Sequence, residues 1–74
     1  MNYKHKITFY ATILDQIVIY DWAVDHFGNF FTDKNNTRWV AYSDGTAGPD
    51  SYKNKVFYLF NNDDDVTLFK LRWL

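Results

Sequence analysis

Three Trp, seven Phe and six Tyr fall in a chain of 74 residues that contains no Cys. That pairing restricts the fold more than any single motif. A domain of this length buries only about 60–65% of the surface its unfolded chain exposes. Small folds offset this with disulfides, metals, oligomerisation or an unusually dense core. Disulfides are absent, and the only histidines are His5 and His26, which leaves little for a metal. One domain over residues 1–74 is expected, because the length holds one core and not two. The rings outnumber what so small a core easily hides. Some are expected at a surface, where Tyr and Trp suit interfaces. A homodimer seam is one such surface.

Charge narrows the partners. The net charge of −1 excludes a strongly basic nucleic-acid binder. Lys4 and Lys6 lie at one end, Lys70 and Arg72 at the other. The acids gather at Asp21 and Asp25, at Asp44 and Asp50, and in the run Asp63-Asp64-Asp65. No apolar run of signal-peptide or membrane length occurs, and the lack of Cys suits a reducing compartment. A cytoplasmic location with no membrane partner is the expectation.

Hydrophobic periodicity predicts a mainly β domain. From Ile7 to Leu14 the residues Ile7, Phe9, Ala11 and Ile13 alternate with Thr8, Tyr10 and Thr12, a strand pattern. Ile17 to Asp25 reads as a second strand, with Val18, Tyr20, Trp22 and Val24 on one face and a run of poor helix formers at its start. The alternative is a helix over residues 13–27, with Thr12-Ile13-Leu14-Asp15 as a capping box and Gly28 as its end. That alternative makes the fold α+β. Turns are expected at His26-Phe27-Gly28-Asn29 and Asp33-Lys34-Asn35-Asn36, with Phe30-Phe31-Thr32 extended between them. Thr37 to Tyr42, Val56 to Phe60 and Val66 to Trp73 read as further strands. A long loop covers Ser43 to Ser51, and Asn61 to Asp65 forms the last turn. The expected architecture is a small antiparallel meander that curls into a barrel or sandwich.

Catalysis is not expected. His26 follows Asp25, but strand neighbours point to opposite faces. On a strand, Asp21 and Asp25 stand roughly 13 Å apart, too far for a glycosidase carboxylate pair. No glycine-rich phosphate loop occurs, and Ser43 and Ser51 lack the setting of a nucleophile. Asp63-Asp64-Asp65 has neither the spacing nor the closing Glu of a calcium loop. Cofactors and metals are therefore not expected. Direct nucleic-acid binding needs aromatics interleaved with cations, and only Arg38-Trp39 and Lys70 to Trp73 provide that. What remains is protein binding, with Trp22 as an aromatic anchor and Asp44, Asp50, Asp63, Asp64 and Asp65 as exposed acids.

Short, free of Cys and rich in Asn, Asp, Lys, Tyr and Phe, the chain resembles the host-takeover proteins of lytic phages of low-GC bacteria. A local match is sharper. Asp65-Val66-Thr67-Leu68-Phe69 is similar to the pentapeptide Gln-Leu-Ser/Asp-Leu-Phe, by which bacterial proteins dock on the replication sliding clamp. Leu68 and Phe69 keep its ending, and Asp65 replaces its leading Gln. With the length, this resembles the sliding-clamp inhibitors of staphylococcal phages. The resemblance implies either that Leu68 and Phe69 enter the clamp's peptide pocket, or that the whole domain fills its basic channel with its acids against the wall. The alternatives are a single-stranded nucleic-acid-binding barrel and an inhibitor of a host restriction, CRISPR or transcription protein.

Overall fold

The computed structural model describes residues 3–29, 38–44 and 52–74. Its elements are β1 (His5–Ala11), α1 (Ile13–Phe27), β2 (Trp39–Ser43), β3 (Asn54–Phe60) and α2 (Asp63–Trp73). The strands form one sheet in the order β1-β3-β2, and β3 runs antiparallel to both neighbours. Among the described residues the sheet does not close into a barrel. The fold is α+β, which corrects the expected mainly-β barrel or sandwich and matches the helical alternative for residues 13–27. Phe30-Phe31-Thr32, the turn at residues 33–36 and Asp50 lie outside the described residues.

Both helices begin where a side chain satisfies the first free amides. The Asp15 amide donates to Thr12 Oγ1 at 3.2 Å, and the Asp64 amide donates to Asn62 Oδ1 at 2.9 Å. At the other end of α1, Gly28 has φ 89° and returns its N–H to Val24 O. Glycine is favoured at that positive φ because it has no Cβ. Asp63, Asp64 and Asp65 occupy the first turn of α2, and Lys70 and Arg72 its last. This order of charge complements the helix dipole. Residues 61–65 are therefore a helix start and not a hairpin turn, and residues 66–73 are not a strand.

The helices share one face of the sheet. Ile7, Trp39, Val56, Tyr58 and Phe60 project toward Ile19, Ala23 and Phe27 of α1 and Val66 and Phe69 of α2, in one cluster. Trp39, Phe60 and Phe69 are its largest fully buried side chains. Trp39 stacks near Tyr58 at 5.8 Å and donates from Nε1 to Gly28 O at 2.8 Å. That bond ties β2 to the end of α1 and satisfies a polar atom that burial would otherwise penalise. Among the described residues, nine aromatic side chains lie in or against this cluster.

Candidate protein-binding surface

The helical state of residues 13–27 changes which side chains share a face. At 100° per residue, Leu14, Ile17, Val18, Asp21 and Asp25 fall within an arc of about 100° on α1. All five are exposed. Leu14 is 66% exposed, Ile17 52% and Val18 57%, so three aliphatic side chains on successive turns face outward. Ile19, Ala23 and Phe27, on the opposite face, are buried. The stripe thus runs from an apolar patch into two carboxylates. Asp21 and Asp25 are one turn apart, with Cβ atoms about 5–6 Å from each other, instead of the wider strand spacing. No ion pair joins Asp15, Asp21 or Asp25 to a cation among the described residues.

Beside the stripe, a cavity of about 250 Å³ opens between α1 and strands β2 and β3, with Ile17, Tyr20 and Asp21 on one wall and Ala41, Tyr42 and Tyr58 on the other. Burial raises the pKa of the Tyr58 hydroxyl, and Tyr20 adds to the shift. Burial, then Asp21, raises that of Tyr20. Both hydroxyls therefore stay protonated through the neutral range.

The three acids of α2 diverge. Asp63 bonds His5 Nε2 at 2.5 Å, and this bond holds its carboxyl below the ordinary carboxylate range, helped by Lys4. Asp64 is exposed. Asp65 is 4% exposed and takes two bonds from Arg38, from Nε at 2.5 Å and from the second guanidinium nitrogen at 2.8 Å. Asp65 is therefore not one of the exposed acids. Among the described residues no group of three or more His, Cys, Asp or Glu is placed to hold a metal ion.

The pentapeptide is divided in the same way. Asp65, Val66 and Phe69 are buried, and Leu68 is 42% exposed. Phe69 packs on Tyr58 at 4.6 Å and Phe60 at 5.5 Å. It belongs to the core and is not a free hook. Trp22 is partly buried in an aromatic group with His26 at 4.2 Å and Trp73 at 5.9 Å. Asp44 is exposed beyond β2, and its amide extends the ladder to Lys55 O at 3.0 Å.

Among the described residues no helix covers the second face of the sheet. Across it run the rows Lys6–Leu59–Val40 and Thr8–Phe57–Tyr42, with Tyr10 beside Lys55. Phe57 is stacked near Tyr42 at 4.8 Å, with the ammonium groups of Lys6 and Lys55 at 4.9 and 5.6 Å from its ring. Sequence reasoning missed both this face and the aliphatic stripe. The stripe was within reach once Thr12 and Gly28 were taken as the ends of one helix.

No protein-family model matches the chain, and no curated protein or solved structure matches it either.

Proposed function

We propose that this protein is a phage-type inhibitor that binds a host replication protein, the DNA sliding clamp, and blocks its access to DNA. One observation carries the reading. The stripe on α1 leaves Leu14, Ile17 and Val18 more than half exposed beside Asp21 and Asp25, which have no ion-pair partner among the described residues. Contiguous apolar surface with a polar rim is characteristic of protein interfaces. Carboxylates on a rigid helix present fixed negative charge, which suits a surface built to attract phosphates.

Of the two docking modes, the fold supports channel occupancy by the intact domain. Entry of the pentapeptide into a peptide pocket requires Phe69 to leave the core, and truncating a buried Phe alone costs about 3–5 kcal/mol. The open sheet face is a natural seam for a homodimer, with Val40, Tyr42, Phe57 and Leu59 at its centre. A two-fold pair of inhibitors would present the same contacts twice to a ring of two-fold symmetry.

The test immobilises the folded protein and measures binding of a purified low-GC bacterial clamp to wild type and to Ile17→Asp. Binding by wild type that Ile17→Asp abolishes supports the reading. Equal binding by both excludes the stripe.

A second reading draws on Lys6 and Lys55 beside Phe57. Cations over an aromatic sheet face also suit a single-stranded nucleic acid. A steep salt dependence of oligonucleotide binding marks that reading, whereas molecular mass that rises with protein concentration marks the dimer seam.

A further inference from the structure

We infer that the free edge of β1 is a docking site for an extended segment of a partner protein, which adds to the sheet as a fourth strand and places a large apolar side chain in the adjoining cavity. β1 is an edge strand. Its seven residues pair with β3 without interruption, from His5 opposite Phe60 to Ala11 opposite Asn54. No strand pairs with its other side among the described residues. Among the described residues the end is engaged, where Gln16 Nε2 donates to Ala11 O at 3.1 Å.

Edge strands are commonly protected from pairing by proline, a bulge or a covering element. β1 has no proline, and its register is continuous. Lys6 is its one protective charge. The edge is fit to receive another strand, and main-chain hydrogen bonds supply affinity in that mode of recognition.

What lies beside the edge determines the occupant. A cavity of about 360 Å³ is bounded by Phe9, Tyr10 and Ala11 of β1, Val18 of α1 and Trp73 at the end of α2. Phe9 lies on the helix side of the sheet and Tyr10 on the open side, so the cavity crosses the strand at its edge. A strand laid there directs alternate side chains toward it. The lining is mainly apolar. Trp73 Nε1, in one of the lining residues, is buried and has no hydrogen-bond acceptor among the described residues. A buried donor left unsatisfied is costly, and a small movement of the Trp73 ring as a strand seats brings its N–H to an incoming carbonyl. Asp15, also at the cavity, is exposed and favours a cation on the incoming segment. The fitting partner is therefore a β-forming segment with a Phe or Leu two residues from a Lys or Arg, so that both lie on the same side.

The probe is the blocked heptapeptide Thr-Lys-Thr-Phe-Thr-Lys-Thr, titrated into ¹⁵N-labelled protein, with a control in which proline replaces the two central threonines. The indole N–H signal of Trp73 is expected to move and to exchange more slowly as it gains an acceptor, together with the amides of β1. The Trp39 indole, already bonded to Gly28 O, is expected to stay in place. The proline control is expected not to bind. Val18→Arg, at an exposed rim position, is expected to weaken binding about tenfold.

No change at millimolar peptide overturns the inference, as does equal binding by the proline control. Protection of β1 and the Trp73 indole that grows with protein concentration in the absence of peptide also overturns it, since a second copy then owns the edge. The clamp takes no part in this experiment, so a failure of the clamp reading leaves its result untouched.

Discussion

Arg38 grips Asp65 through two nitrogens, at 2.5 and 2.8 Å, and thereby joins the residue preceding β2 to the first turn of α2 across 27 positions of sequence. The bond to Asp65 raises the pKa of the guanidinium. The Asp65 side chain is 6% exposed and that of Arg38 46%, so the carboxylate is the partner that burial isolates from water.

Arg38→Ala is expected to destabilise the protein by about 1.5–3 kcal/mol, the range for hydrogen bonds to charged groups. That is below the cost of breaking a fully buried pair, because Arg38 is half in solvent. In a domain this small each kcal/mol lowers Tm by about 4–8 °C. Thermal unfolding followed by circular dichroism measures it. An unchanged Tm would show the pair to be incidental.

Leu68→Ala and Phe69→Ala separate the exposed part of the pentapeptide from the part in the core. Phe69→Ala is expected to cost about 3–5 kcal/mol and to leave little folded protein. Leu68→Ala, at a partly exposed position, is expected to stay within about 1 kcal/mol of wild type and to retain clamp binding. Loss of binding in folded Leu68→Ala would restore the peptide-pocket mode.

The contrast between these neighbours also shows how α2 escaped the sequence reading. Asn62 followed by three acids resembles a polar turn, and Val66, Leu68 and Lys70 alternate acceptably. The helical signal was nevertheless present. An Asn cap, acids in the first turn and Lys70 and Arg72 in the last form a start-and-stop pattern, and Val66, Phe69 and Trp73 repeat at helical spacing. In α1 the difficulty was different. Ile17, Val18 and Ile19 are β-branched, and the helix is apolar on its exposed face as well as its buried one. This blurs the period that normally identifies a helix. Strands β1, β2 and β3 were legible because their alternation is reinforced by burial of one face only. The position of Asp65 was not legible, since its partner Arg38 comes from a distant segment.

Acid is expected to weaken the link between β1 and α2. The folded Asp63 carboxyl is held below its ordinary value, chiefly by the bond from His5. A depressed carboxylate contributes stability above its unfolded pKa of about 3.9, and that contribution disappears as pH falls through the folded value. Asp63 is exposed, so the effect is small. Wild type is expected to exceed Asp63→Asn slightly in Tm at neutral pH and to converge with it in acid. A gap that persists below the folded carboxylate's range would contradict this.

The acids of the α1 stripe are expected to act mainly on the encounter with a basic partner. Asp21→Asn/Asp25→Asn should lower the association rate by about three- to tenfold with little change in dissociation. The deficit should shrink as salt is added. Surface plasmon resonance at two ionic strengths reads both rates. An equal deficit at both salts would assign the loss to contacts other than charge.

The most direct measurement is competition for the clamp. Immobilised wild-type protein is exposed to a purified low-GC bacterial sliding clamp with and without primed DNA. Saturable binding that primed DNA displaces is the expected result. Absence of binding at micromolar clamp, or binding that primed DNA leaves undiminished, would contradict inhibition by exclusion of DNA.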